Sequence, residues 1–500
     1  MFKKTKLSSI LFIAILILSI ALTGCKSNEG TSNSGSTSGS GEKGGDSTDI
    51  TMAFLTFSEM NDLPEVQEEI NKITKEKINA TVTLLPINIS AWDQQINLML
   101  TGNEKLDLLV TGAGFSYSTK AVKGQLIPLD DLLASHGQGI LDVMPSYMLE
   151  ATKVEGKTYG VPSMRDWAAD YGLLMRKDLV EKHNIDLSQI NSFEDLEPIF
   201  QTIKDNESGM NPIVNTTLTT ASVIASPYFD ILGDRLGVVE MDGDGTVINM
   251  FEHPDYVDAV HLARKWFEAG YLIKDAATSD EIMASLIKAG KGFGNLAAMK
   301  PGFEVQEQGL IGHEMTTVRL TEPLQYTTGA TSFMMSIARN SQNPEKAMEM
   351  MNLLYADADI MNLIANGVEG KHYTVMDEGV IALPEGVSDS GYVFGQWQIG
   401  NNYLVYPWEG NDPDYWNQMK EFNDSAKRSP LFGFSFNPDA VKTEIATATN
   451  VLVQYLRGVE SGTLDPEKTL PEFNEKLRAA GLDKIIAEKQ KQIDEWKANQ

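Results

Sequence analysis

The feature that most constrains this chain is the alternation of strand and helix patterns between Ile50 and Val110. Ile50 to Phe57 is a near-continuous apolar run of buried-strand length. Asp62 stands where a helix cap belongs, ahead of Val66, Ile70 and Ile73 at helical spacing. Thr81 to Leu85 alternates as a second strand, and Trp92, Ile96 and Leu100 share one face of a second helix. Leu106 to Val110 is a third strand, ending at Gly112-Ala113-Gly114. Strand, helix, strand, helix, strand at this pace predicts an α/β protein with a parallel sheet. Ligands of open α/β sheets lie beyond the carboxyl ends of the strands, so Phe57 to Met60 and Thr111 to Tyr117 are the expected binding loops.

The N-terminus obeys a different logic. Lys3, Lys4 and Lys6 precede an apolar stretch, Ile10 to Leu22, which ends at Leu22-Thr23-Gly24-Cys25. The stretch is shorter than the roughly 20 residues of a membrane span, and its charged, apolar and small-residue zones follow the order of an export signal. The Leu-x-Gly-Cys ending resembles a bacterial lipobox. That resemblance implies cleavage after Gly24 and lipidation of Cys25, the chain's single cysteine. Lys26 to Asp49 is mostly Ser, Gly, Thr and Asn without apolar periodicity, which predicts a flexible spacer between anchor and folded body.

About 450 residues follow, enough for two or three domains at roughly 150 residues each. The formal net charge of -28 argues against nucleic acid as a partner, because phosphate binding needs concentrated Lys and Arg. With Cys25 acylated, no thiol remains for a disulfide or a thiolate metal site. Ala151 to Thr158 has Walker A spacing, but Ala151 replaces the first glycine that a phosphate nest needs, so a hairpin turn is expected there. Gly290-Lys291-Gly292-Phe293-Gly294 places its third glycine one position early for a dinucleotide fingerprint. Asp242-Gly243-Asp244-Gly245 lacks the bidentate Glu of an EF-hand loop, whose place is taken by Phe251, and predicts a turn instead. The six histidines show no close zinc-ligand pairing, and no Gly-x-Ser-x-Gly elbow occurs. No cofactor and no metal are expected. The 69 acidic residues nevertheless leave a surface glycosidase as one alternative.

Five segments in order resemble bacterial extracellular solute-binding proteins of family 1. They are Leu98 to Gly114, Gly124 to Leu133, Val154 to Pro162, Leu173 to Asp186 and Asn343 to Asp357. Gly400 to Trp416, Phe422 to Val451 and Leu470 to Trp496 further resemble the LplA-like branch, whose members are mostly assigned to carbohydrate importers of Gram-positive bacteria. The resemblance implies a two-lobed periplasmic-binding-protein-like fold of type II that closes on ligand by hinge motion. Crossings are expected near Gly160 to Leu174, Phe293 to Pro301 and Gly329 to Ile337. The first lobe would then hold residues 50–160 and about 294–330, and the second about 175–292 and 338–500. The implied partners are ABC permease subunits in the membrane and, through them, an ATPase. The protein is expected to act as a monomer, lipid-anchored on the extracellular face of the cell membrane, and not as an enzyme. An oligosaccharide is the expected cargo. A peptide or other non-sugar solute is the alternative, with Met334-Met335 and Met350-Met351 as a soft apolar lining, and a sensor that binds without uptake is another.

Sugars present apolar C–H faces to aromatic rings and hydroxyls to placed donors and acceptors. On that chemistry the candidate contacts are Glu59 and Asn61 after the first strand, and Phe115 and Tyr117 after the glycine turn. Arg165, Asp166, Trp167 and Tyr171 lie on the first crossing, Tyr228 in the second lobe, and Trp397, Asn401, Tyr403 and Trp408 toward the C-terminus. Trp92, Trp266 and Trp496 are expected to serve packing. Trp167 is expected to stack on a sugar while Arg165 and Asp166 bind hydroxyls, and to be removable without unfolding the protein.

Overall fold

The strand pattern of residues 50–110 forms one half of a five-stranded sheet. In this computed structural model, which describes residues 47–498, β1 (Thr48–Thr56), β2 (Ala80–Asn88) and β3 (Leu108–Thr111) run parallel, with Met52 opposite both Leu84 and Leu108. The export signal, Cys25 and nearly all of the spacer lie outside the described residues. Every residue from Ile50 to Leu55 is buried, as befits a strand covered on both faces. The helix Leu63–Ile78 buries Leu63, Val66, Ile70 and Thr74, and stops at Asn79 in the left-handed conformation. Asp62 precedes this helix but does not cap it with its side chain. Its carboxylate instead pairs with Lys371 and His372, tying the helix start to a segment far along the chain.

The chain leaves this sheet through β4 (Val161–Pro162) and enters a second through β5 (Asp170–Arg176). There β6 (Asn211–Ile213), β7 (Gly292–Met299) and β8 (Met315–Arg319) join it in the order β8-β5-β7-β6. The strand β9 (Met334–Ile337) then returns to the first sheet, whose order is β2-β1-β3-β9-β4. Two expected assignments are thereby corrected. Residues 294–330 do not belong with the first lobe, because β7 and β8 both pair with β5. The family resemblance places a crossing at Phe293 to Pro301, but Gly292–Met299 is a strand. A Cβ on Gly294 would lie 2.3 Å from the carbonyl oxygen of Leu174, so the glycine is what lets this central strand approach its neighbour. Residues 338–405 do not belong with the second lobe either, since Met348, Met351, Leu354, Ile364, Ile399 and Val405 enter the first core. Met334, Met335, Met350 and Met351 are fully buried, so they are core and not a cleft lining.

The crossing expected at 293–301 is therefore a strand, and residues 163–169 connect β4 to β5. A second crossing precedes β9, and a third lies between Val405 of the first core and Val441 of the second. The last three helices, Lys442–Glu460, Pro466–Ala479 and Leu482–Ala498, add Leu452, Phe473, Leu477 and Ile485 to the second core. Lys489 is fully buried there, donating to the carbonyl of Gly237 at 2.9 Å and pairing with Asp234. Trp92 and Trp266 are core residues, and Trp496 packs on Phe434. Lys153–Val154 pairs with Lys157–Thr158 in the expected hairpin, turning through Glu155 and Gly156 at positive φ. Val238 and Ile248 bridge across the Asp242 to Gly245 turn.

Candidate ligand-binding cleft

The first crossing is held by one carboxamide. Asn423, on the helix Tyr415–Ser425, accepts from the backbone N–H of Trp167 at 2.8 Å and of Ala168 at 3.0 Å. Its Nδ2 donates to the carbonyl of Arg165 at 2.7 Å and to the Tyr403 hydroxyl at 2.8 Å. Extended chain that leaves a sheet loses its ladder partners, and a buried backbone group without a partner is costly. Asn423 supplies those partners and so sets where the Arg165, Asp166 and Trp167 side chains point. The Trp167 indole donates to the carbonyl of Ser163 at 2.8 Å, which fixes the ring against the same segment.

These residues line a cleft of about 650 Å³. From the first lobe come Phe333 and Trp397, with ring centroids 4.5 Å apart at a steep angle. From the second come Ala298, Met299 and Lys300 at the carboxyl end of β7, with Phe303 and Gln306 behind them. Tyr326, Thr328 and Ser332 arrive on the second crossing. The cleft therefore lies at the strand ends, where the sheet topology expects a ligand. A larger cavity of about 1110 Å³ opens between residues 146–156 and 428–433. It contains none of the expected contact residues and takes nothing from the strand ends of either large sheet, so size alone does not make it the site.

Charge is concentrated at one place on the cleft floor. Asp166 pairs with Arg165 on its own segment and with Lys300 of the second lobe at 2.9 Å. Burial alone would push the Asp166 carboxyl up, but the two cations outweigh it and hold it below the ordinary carboxylate value. The Arg165 guanidinium also lies 5.7 Å from the Phe333 ring centroid and 5.9 Å from that of Trp397. Aromatic faces, a fixed carboxylate and two cations thus meet within one cleft. Among the described residues no cluster of three His, Cys, Asp or Glu side chains could hold a metal ion.

Of the thirteen expected contacts, Arg165, Asp166, Trp167 and Trp397 line this cleft. Phe115 stands behind it, its ring 5.9 Å from Phe333 and 6.3 Å from Trp92. Tyr403 supports the crossing from behind, donating to the Arg165 carbonyl at 3.2 Å. Tyr171 is buried and accepts from the Tyr326 hydroxyl at 2.8 Å, and burial raises the pKa of both phenols. Tyr117 and Asn401 are corrections. The Tyr117 hydroxyl donates to the Thr152 carbonyl and accepts from the Tyr159 N–H, while Asn401 accepts from the Tyr403 N–H and donates to the Tyr355 carbonyl. Both are buried and committed to backbone groups of the fold. Tyr228 is 46% exposed on the second lobe, Trp408 is half-buried beside Ile381, and Glu59 and Asn61 are exposed on the loop after β1. These four lie outside the cleft lining. Sequence reasoning missed Lys300, Phe303, Gln306 and Phe333. Reading 292–299 as a strand would have found Lys300, by the same rule that marked Phe57 and Phe115.

Comparison with known proteins bears on the fold. The family described as Domain of unknown function (DUF3502) matches residues 430–498, the segment of the three terminal helices. A carbohydrate ABC transporter substrate-binding protein of Streptococcus pneumoniae serotype 4 is 28% identical over 489 residues, covering 93% of this chain and 95% of its own. Lipoprotein LipO of Bacillus subtilis is 23% identical, covering 80% and 78%. The crystal structure of the N-glycan transport solute-binding protein NgtS from Streptococcus pneumoniae superimposes with a TM-score of 0.80 at 28% identity, covering 90% of this chain and 98% of that one. The chain shares the fold of that solute-binding protein. In complex with Man5GlcNAc, NgtS matches this chain with a TM-score of 0.68 at 27% identity, covering 91% and 99%. The two-lobed type II architecture and the family resemblance read from the sequence both hold.

Proposed function

We propose that this solute-binding protein is a lipid-anchored receptor on the extracellular face of a bacterial membrane. It takes a carbohydrate in the interlobe cleft and passes it to the permease of an ABC importer. The observation that carries this reading is the cleft floor. A peptide receptor calls for a broad apolar trough, whereas here Trp167, Phe333 and Trp397 are interleaved with Arg165, Asp166, Lys300 and Gln306. Rings for C–H faces and fixed charges for hydroxyls are the two requirements of a sugar site.

The same floor argues against glycoside cleavage. That chemistry uses two carboxyl groups flanking the bond, one with a raised pKa. Asp166 is the one carboxylate lining the cleft among the described residues, and its pKa is lowered. The name of the pneumococcal relative supports carbohydrate as cargo, and that of LipO supports the anchor at Cys25. Among the described residues no helix is long and apolar enough to cross a membrane.

The test is a thermal-shift panel of glycans, with Man1GlcNAc and Man5GlcNAc among them, followed by product analysis. A binding glycan at a hundredfold its Kd stabilises the folded state by about 2.7 kcal/mol and raises the Tm. Shifts with peptides alone would overturn the carbohydrate reading, and appearance of cleaved glycan would overturn binding without chemistry.

A further inference from the structure

Gln398 reveals how the aromatic wall of the cleft is built. Within β1 the pairing with β3 covers Met52 and Ala53, and Leu55, farther along the strand, has no partner in β3. Gln398 fills that place. The Leu55 N–H donates to its Oε1 at 2.7 Å, and its Nε2 donates to the Leu55 carbonyl at 3.0 Å. The fully buried amide stands in for a neighbouring strand, and it pins the turn Gln396–Gln398 against the end of β1.

The consequence is positional. Trp397 is brought to 6.0 Å from the ring of Phe57, in the loop that follows β1. Gly395 backs the indole closely: a Cβ there would lie 3.1 Å from ring atoms, so the glycine leaves the ring the space it occupies. Rings now run from Phe115 through Phe333 and Trp397 to Phe57, with centroids 5.9, 4.5 and 6.0 Å apart. The first three are half-buried, whereas Phe57 is 60% exposed and stands outside the cleft lining. Its loop is a turn closed on itself, with the Thr56 hydroxyl donating to the Ser58 carbonyl and accepting from the Ser58 N–H. One exposed phenylalanine means little alone. Here it is the outermost step of a continuous aromatic wall, with the carboxylate of Glu59 and the amide of Asn61 exposed just beyond it.

We infer that Phe57 is an outer sugar subsite, so that the receptor takes a glycan longer than the cleft, its inner units between the lobes and an outer unit stacked on this ring. The inference rests on the proposed carbohydrate reading. It assigns chain-length preference to the loop after β1, with Gln398 as the positioning residue for Trp397.

Calorimetric titration of wild type, Phe57→Ala and Phe57→Trp tests it, using Man1GlcNAc against Man5GlcNAc and maltose against maltopentaose. For the pair that binds, Phe57→Ala is expected to weaken the longer glycan about tenfold and the shorter less than about twofold. Phe57→Trp should retain the preference. The melting temperature of Phe57→Ala should stay at the wild-type value, because the ring carries little core packing. Equal loss for short and long glycans, or no loss for either, overturns this inference while leaving the carbohydrate reading intact. Failure of wild type to bind either pair or any other glycan of the panel overturns both.

Discussion

Replacing Asn423 with alanine should disable the cleft without touching a residue that lines it. Asn423 is 2% exposed and makes four hydrogen bonds, two of them received from the Trp167 and Ala168 backbone. In Asn423→Ala those two N–H groups lose their acceptor inside the fold, at about 1–3 kcal/mol each. The Arg165 carbonyl keeps its bond from the Tyr403 hydroxyl and adds little to the cost. A water admitted to the vacated space recovers part of the loss, which places the net effect near about 3 kcal/mol. At roughly 2–4 °C per kcal/mol for a large domain, calorimetry should show the Tm falling by several degrees. Affinity for a glycan found by the panel should fall at least about tenfold, because the segment that aims Trp167 and Arg165 is no longer held. Asn423→Asp keeps both acceptor interactions but turns a buried carboxylate oxygen toward the Arg165 carbonyl, so it should not restore wild-type stability. If Asn423→Ala melts within about 1 °C of wild type and binds equally well, the crossing is held by something else and the reasoning fails.

Three further outcomes are expected. Trp167 is 7% exposed and hydrogen-bonded, so Trp167→Ala should lose about 3–5 kcal/mol of stability as well as affinity, whereas Trp167→Phe keeps a stacking ring, loses the bond to Ser163 and should be the milder change; a wild-type Tm for Trp167→Ala would contradict its burial. The carboxyl of Asp166 has a lowered folded-state pKa, so its contribution is present above the unfolded value of about 3.9 and lost as pH falls through the lower, folded value. The stability advantage of wild type over Asp166→Asn should thus be level from about pH 5 to 7 and shrink below about pH 4, and an advantage that grew on acidification would refute the ion cluster. Cys25→Ser should release the protein from cells into the medium, and firm membrane retention in fractionation would refute the lipid anchor.

How much of this was legible in the sequence follows the range over which each signal acts. Strand and helix periods between residues 48 and 111 arise among near neighbours, so β1, β2, β3 and the helices Leu63–Ile78 and Trp92–Gly102 could be read directly. The hairpin at Glu155-Gly156 is equally local. The first crossing was also visible, and with it Arg165, Asp166 and Trp167. Tertiary structure alone decided which lobe residues 292–405 join, because the pairing of Gly294 to Met299 with Asp170 to Met175 joins residues more than a hundred positions apart. It also decided which polar and aromatic groups face the ligand. Tyr117 and Asn401 have the right chemistry but spend it on backbone groups, while Lys300 and Phe333 reach the cleft only when β7 and the second crossing close on the first. Residue type states what a side chain can bind, but its partner is set by whichever group the folded chain leaves without one, and that is a property of contacts far apart in sequence.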